Sequence, residues 1–232
     1  MAARGLLESA AAREPTNPLI QAALASAWTA LGYDGRASDA AQKAFDASGG
    51  LNREDRLNVE GRLYETQRKW PKAIDVYRTL WGYFADNVEY GLRLAAAQTS
   101  SGKADDALAT VESMRRVAAD PRIDLAEAQA AAGLGDFPRQ LTVLQRMIPG
   151  VERSQSRLLL AQGRLAEGGS YFNQGQPGPA EKSLEAARRI FIEVGDKAGA
   201  ASALNSMANV LADQQDLARV RGLYEEALAM SE

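Results

Sequence analysis

Short apolar blocks, each centred on a small residue, recur along the whole chain. The six centres are Ala25, Gly61, Ala95, Ala128, Gly168 and Ala208, and successive centres are 36, 34, 33, 40 and 40 residues apart. Twelve positions after each centre stand Ala37, Ala73, Ala107, Gln140, Ala180 and Val220. Repetition at this spacing is typical of a helical solenoid, in which each repeat is a pair of helices packed on its neighbours.

Within each repeat, apolar residues follow the three-and-four spacing of an amphipathic helix, and no strand-like alternation competes. Asn17 before Pro18 is a helix-start signal, as is Asn52, whereas Pro149-Gly150 is expected to stop a helix. We predict one array over residues 1–232. It has a leading helix at 3–14 and helix-pair units at 18–50, 52–86, 87–119, 121–150, 153–195 and 197–230.

The charge balance argues against a polyanionic partner. The chain has 27 basic and 30 acidic residues, a formal net charge of −3, and no polybasic run. Nucleic acid and anionic membranes attract proteins through clustered positive charge, which this chain lacks. We expect no nucleic-acid partner through this region, and no membrane partner, since no apolar run approaches the ~20 residues that span a bilayer.

The chain contains no histidine and no cysteine. These absences remove the most versatile general base, thiol nucleophiles and the usual nitrogen and sulfur metal ligands. Gly133-Leu134-Gly135-Asp136 and Gly175-Gln176-Pro177-Gly178 lack the lysine and the preceding strand of a phosphate-binding loop. We therefore expect turns at both places, no cofactor, no metal site and no enzymatic activity.

The beginning of the chain does not have the pattern of a secretory signal. Glu8 and Glu14 interrupt it, and no apolar core follows the basic residue. A helix is the expected structure there and the cytoplasm the expected compartment. An extracytoplasmic arm of a membrane-anchored regulator is the alternative.

The residue pattern resembles that of tetratricopeptide repeats. Matching positions are Leu24-Ala25, Trp28, Gly32, Ala37 and Phe45 in the first unit, and Gly61, Tyr64, Trp70, Ala73 and Tyr77 in the second. Leu94-Ala95, Gly102 and Ala107 match in the third, and Gly168, Tyr171, Gly175 and Ala180 in the fifth. The fourth unit departs at Ala131 and Gln140, and the sixth at Val220. The resemblance implies an all-α, right-handed superhelical solenoid of antiparallel helix pairs.

Residues 70–95 are similar to the repeat regions of bacterial multidomain regulators that carry a serine/threonine kinase or a winged-helix domain. The joint at 195–205 resembles that of a subgroup with longer helices, which is found in bacterial regulators and in peptide-binding adaptors. That similarity implies a second possible role, as the sensor or assembly arm of a larger signalling protein.

The resemblance also implies where a ligand would bind. In this family the first helix of each pair lines the concave face, which recognises proteins or peptides. The positions that face it here are Asn58, Arg62, Glu65, Gln129, Phe172, Asn173, Asn205, Asn209 and Asp213. Asn205, Asn209 and Asp213 are four apart and share one helical face, where carboxamides can pair with a peptide backbone. The alternative for each residue is an ordinary solvated polar side chain.

Two further expectations concern the kind of partner. Some relatives clamp a C-terminal carboxylate with lysine and asparagine, but the matching places here hold Ala22, Ala25-Ser26 and Leu92. A clamp of that kind is not expected. The last helix carries an apolar face with no solvating helix after it, so a homo-oligomer formed through uncapped solenoid ends is a third possible role.

Overall fold

The computed structural model describes the backbone of residues 2–231 and the side chains of residues 5–226 and 228. In this part of the chain every element of regular secondary structure is a helix, and there is no strand. The contacts divide the chain into two compact units, Met1–Ala118 and Ala119–Glu232. The prediction of a single array over 1–232 stays a prediction, and each unit is described by itself.

Over the residues that the structure describes, the first unit contains seven α-helices. They are α1 (Ala2–Arg13), α2 (Pro18–Ala30), α3 (Asp34–Asp46), α4 (Arg53–Thr66), α5 (Trp70–Tyr83), α6 (Val88–Ser100) and α7 (Ala104–Arg115). A single 3-10 turn, Ser48–Gly50, separates α3 from α4. Each helix packs on the next along the chain, and α2 also packs on α4.

The second unit contains six α-helices within the described residues. They are α8 (Pro121–Gly133), α9 (Phe137–Arg153), α10 (Arg157–Asn173), α11 (Pro177–Val194), α12 (Lys197–Asp213) and α13 (Leu217–Ser231). Consecutive helices pack on each other, and α10 packs on both α8 and α12. The all-α architecture of packed helix pairs is therefore confirmed.

Side-chain caps fix the starts of several helices where the sequence predicts them. The Asn17 carboxamide accepts from the N–H groups of Leu19 and Ile20, and Asn52 accepts from that of Asp55. These bonds satisfy donors that the first turn of a helix leaves free. The caps therefore fix where α2 and α4 begin.

The six small centres are all buried. A methyl group added at Gly61 would lie 2.7 Å from Cε1 of Tyr77, and one at Gly168 would lie 2.5 Å from Cγ of Leu184. Trp28, expected in the core, is 5% exposed. The small centres that repeat along the sequence are therefore positions where the second helix of a pair packs closely on the first.

One predicted helix end is wrong. Pro149-Gly150 does not stop α9, which continues to Arg153, so the next helix begins at Arg157 rather than at residue 153. Proline inside a helix removes one backbone hydrogen bond. Val151 beyond it is 1% exposed in the core that also holds Leu144 and Ile148. We attribute the continuation to that apolar contact, which offsets the lost bond.

None of the described helices combines the length and the apolar composition that crossing a membrane requires.

Candidate functional site

A groove of about 760 Å³ lies in the first unit, against α2, α4 and α6. We call it the first-unit groove. Its lining residues are Ala25, Ser26, Thr29, Ala30, Asp34, Ala37, Arg62, Glu65, Thr66, Arg68, Trp70, Arg93, Ala96, Ala97 and Ser100. Many of these residues lie one, four or five positions after a small centre. Those positions share one face of a helix, and α2, α4 and α6 each present that face to the groove.

Five of the residues that line the groove are alanines, of which Ala30 and Ala96 are exposed and the other three are 1% exposed. They are Ala25, Ala30, Ala37, Ala96 and Ala97, which we call the alanine floor. A methyl side chain fills little of the space above its helix. The floor therefore leaves room for apolar side chains of a ligand, which gain about 25 cal/mol per Å² of apolar surface removed from water.

Hydroxyl groups supply part of the polar lining. Ser26, Thr29 and Thr66 each donate a hydrogen bond to a carbonyl of their own helix, at 2.9, 3.0 and 2.9 Å. A hydroxyl oxygen that donates still carries acceptor capacity. These three groups can therefore accept from ligand N–H groups without giving up their internal bonds.

One wall of the groove is charged. Arg93 on α6 pairs with Glu65 on α4, with 3.3 Å between Nη1 and Oε2, and with Glu89 on its own helix, with 2.8 Å between Nη2 and Oε1. The side chains of Arg93 and Glu65 are 16% and 22% exposed. Arg93 also lies 6.0 Å from the ring centroid of Tyr77. The pair therefore connects two successive first helices at the edge of the core.

Burial sets the proton affinities of this wall. Desolvation raises the pKa of Glu65, and the charges of Arg93 and Arg62 only partly oppose the rise. Burial, reinforced by the charge of Glu65, also raises the pKa of the Tyr77 hydroxyl well above its usual range. Tyr77 stays neutral as a result, and the carboxylate of Glu65 carries an unfavourable desolvation energy when it is ionised.

Arg62 differs from the other charged residues of the groove. It is half-buried, and among the described residues no hydrogen bond and no ion pair within 4.0 Å engages its guanidinium. Burial lowers its pKa first, and repulsion from Arg93 lowers it further. A guanidinium has five N–H donors and remains charged even when its pKa falls. Arg62 therefore presents unused donors to the groove.

Asn58, one turn before Arg62, does not line the groove. Its Oδ1 atom is buried and has no hydrogen-bond partner among the described residues, which is also true of the Tyr77 hydroxyl. Of the three residues predicted in this unit, the structure brings Arg62 and Glu65 into one groove and leaves Asn58 outside its lining.

The predicted residues of the second unit lie on α8, α10 and α12. Gln129 on α8 is exposed. Phe172 is partly buried and packs against the cluster of Ala180 and Leu184, so its ring helps to hold α10 on α11. Asn173 is exposed, and its Nδ2 donates to the carbonyl of Gly169 at 2.8 Å.

The three four-spaced residues of α12 do share one face. Asn205, Asn209 and Asp213 are all exposed. The Tyr224 hydroxyl donates to Oδ1 of Asn209 at 3.5 Å, which is a long contact. The face is available to solvent, and its role as a binding surface stays a prediction.

Sequence reasoning missed Arg93 and the pair formed by Arg68 and Asp34, whose side chains meet at 3.1 Å on the groove. Arg93 lies two residues before the small centre Ala95, a position not assigned to the ligand-facing side. A signal was present, since Glu65 and Arg93 have opposite charges on successive first helices.

A second cavity, of about 330 Å³, lies in the second unit. It is lined by Glu152, Gln155, Arg157, Leu160, Arg164, Ala186, Arg189 and Ile190. Arg164 pairs with Glu152 and Glu167, and Arg157 pairs with Glu193, so these arginine charges are already compensated. Among the described residues no group of acidic side chains is arranged to hold a metal ion.

Comparison with known proteins gives structural similarity only. No protein-family model matches the chain, and no curated protein sequence matches it. A Rap protein complexed with competence and sporulation factor is similar over 92% of this chain and 64% of its own, with a TM-score of 0.75 and 14% identity. The Cut9 and Hcn1 hetero-tetramer of the APC/C gives a TM-score of 0.68 at 15% identity, over 97% of this chain and 42% of that one.

A thermophilic TPR protein from Thermus thermophilus gives a TM-score of 0.61 at 17% identity, over 81% of this chain and 98% of its own. The chain thus spans less than two thirds of the length of the first two structures. Identities this low carry information about the fold alone. The packed helix pairs, their period and these structures together show that the chain has the tetratricopeptide-repeat fold.

Proposed function

We propose that this chain is a non-catalytic scaffold that binds a protein or peptide segment in the first-unit groove. The observation that carries the proposal is the combination, in one groove, of the alanine floor with unused donors on Arg62 and acceptor-capable hydroxyls. A volume of about 760 Å³ is in the range of ligand sites. An extended peptide fits this combination because it offers a carbonyl, an N–H group and a side chain at every residue.

The structural neighbours support the same class of function. One is a Rap protein complexed with competence and sporulation factor, and another is a hetero-tetramer of Cut9 and Hcn1. Both were therefore captured with a second molecule. The likeness concerns the fold, so the identity of a partner for this chain does not follow from them.

The test is a selection of random linear peptides on the purified chain, followed by binding measurements on two tryptophan variants. Ala96→Trp places an indole in the groove from an exposed position, and Ala109→Trp adds the same side chain to an exposed position of α7 outside it. Ala96→Trp is expected to abolish binding of the selected peptides while Ala109→Trp binds as wild type. Selection of no peptide, or equal binding by both variants, would overturn the proposal.

One wider role is proposed from the sequence alone. The similarity of residues 70–95 and 195–205 to bacterial regulators supports a role as an arm of a larger signalling kinase or transcription factor, with the cytoplasm as its compartment. An immunoblot of source cells tests this role. A band far above 24.9 kDa supports it, and a band at that mass contradicts it.

Self-association is favoured by one structural observation. Leu217 and Leu228 on α13 are 70% and 64% exposed, so both present apolar surface to solvent. Light scattering over a concentration series tests this role. A mass that rises with concentration, and falls back in a Leu217→Glu variant, is the supporting result, and a constant monomer mass is the contrary one.

A further inference from the structure

We propose that Arg62 makes the first-unit groove selective for peptides that carry an aspartate or glutamate side chain next to a large apolar side chain. The carboxylate pairs with the Arg62 guanidinium, and the apolar side chain lies on the alanine floor. This inference rests on the proposed function and names the class of ligand.

Of the three arginines that line the groove, Arg62 is the one that forms no ion pair with a described residue. Arg93 is held by Glu65 and Glu89, and the Arg68 guanidinium is 3.1 Å from the Asp34 carboxylate. Arg62 has no such bond among the described residues, although it is half-buried. A partly desolvated guanidinium without an acceptor is an unfavourable arrangement that an incoming acceptor relieves.

The acceptor should be anionic. Arg93 is the charged group that affects the pKa of Arg62 most, and it lowers that pKa, whereas Tyr77, Glu65 and Glu89 each raise it by less. An ammonium group of a ligand offers no acceptor to the Arg62 guanidinium, whereas a carboxylate can accept two parallel N–H bonds from it. Such bidentate bonds are stronger than those to a neutral carbonyl.

The groove is better suited to the carboxylate of a side chain than to that of a peptide C-terminus. A terminal carboxylate in a clamp needs donors from successive helices, and the matching places hold Ala22, Ser26 and Leu92. The Ser26 hydroxyl already donates to the Ala22 carbonyl at 2.9 Å. One guanidinium without an ion-pair partner, beside a floor of alanines, is instead suited to one acidic side chain in the middle of a peptide.

The experiment compares peptide selections on three proteins: wild type, Arg62→Ala and Arg56→Ala. Arg56 lies on the same helix, is exposed and does not line the groove, so its removal changes the net charge equally. All selected peptides are resynthesised with an acetylated N-terminus and an amidated C-terminus. Peptides from the wild type and from Arg56→Ala are expected to be enriched in Asp or Glu next to a large apolar residue.

Binding constants complete the test. Replacing the acidic residue by its amide should weaken binding to wild type roughly tenfold, as expected for loss of a charge-assisted pair, and should leave binding to Arg62→Ala unchanged. Arg62→Glu should instead select Lys or Arg. Thermal unfolding of each variant confirms that it folds, and Arg62→Gln replaces any variant that does not.

The outcomes separate this inference from the function on which it rests. Peptides that Ala96→Trp excludes but that show no acidic enrichment would overturn the role of Arg62 and leave groove binding standing. Enrichment that persists in Arg62→Ala would also overturn it, as would loss of binding when the C-terminus is amidated. Absence of any groove-dependent peptide would overturn both proposals.

Discussion

Gly168 on α10 lies so close to Leu184 on α11 that a methyl group at Gly168 would be 2.5 Å from Cγ of the leucine and 3.1 Å from the carbonyl oxygen of Ala180. Side chains do not approach this closely without displacement. Gly61 and Tyr77 stand in the same relationship in the first unit. The small centres of the sequence therefore mark the places where the second helix of a pair lies directly against the backbone of the first.

Gly168→Ala is predicted to lower the free energy of unfolding by about 1–3 kcal/mol, the usual cost of overpacking a core. Gly169→Ala is the matched control, because its added methyl group meets nothing within 4 Å. The control should gain up to about 1 kcal/mol from higher helix propensity. Urea unfolding of both variants measures the difference, and equal stabilities would contradict the account of the small centres.

The turns between helices provide a second prediction. Gly175 lies in the turn between α10 and α11 and has φ of 70°. Gln155 lies in the turn between α9 and α10 and has φ of 58°. Non-glycine residues are strained in this left-handed region. Gln155→Gly should therefore raise the free energy of unfolding by about 0.5–1 kcal/mol, after allowance for glycine's greater freedom in the unfolded chain.

Gly175→Ala provides the opposite test of the turns. The side chain would have open space, so backbone strain alone should destabilise the variant by about 1 kcal/mol. Thermal unfolding measures both changes. If both substitutions moved the melting temperature in the same direction, the strain argument would fail.

Glu65 provides a prediction about pH. Its pKa is raised above its ordinary value of 4.5 by burial, so the folded protein holds this proton more tightly than the unfolded chain does. The stability of wild type relative to Glu65→Gln should therefore increase as pH falls from neutrality toward 4.5, and should level off below it. Urea unfolding across this range measures the difference. A difference that stays flat, or that declines on acidification, would show that burial does not dominate at Glu65.

The fold was predictable because it depends on a repeated local rule. Small residues at the centres, caps such as Asn17 and Asn52, and glycines such as Gly175 each specify one feature of a helix pair, and the repetition makes the rule visible. The effect of Pro149 was not predictable, because it does not depend on a local rule. Whether a helix survives an internal proline depends on the burial of Val151, which local sequence does not reveal.

The candidate site was only partly predictable. The register after Gly61 identified Arg62 and Glu65, because position on a helix face follows from sequence spacing. The pairing of Arg93 with Glu65 depends on how far α6 is rotated and shifted against α4. That arrangement arises from packing, so only the structure shows that Glu65 is engaged and Arg62 is not.

The proposed function requires a peptide to occupy the first-unit groove. The most direct measurement is the NMR spectrum of the chain labelled at its alanine methyl groups, titrated with a peptide selected from the random library. We predict that the methyl signals of the alanine floor shift with the binding isotherm while that of Ala109 stays in place. Shifts confined to methyl groups outside the groove, such as those of α12, would contradict the claim.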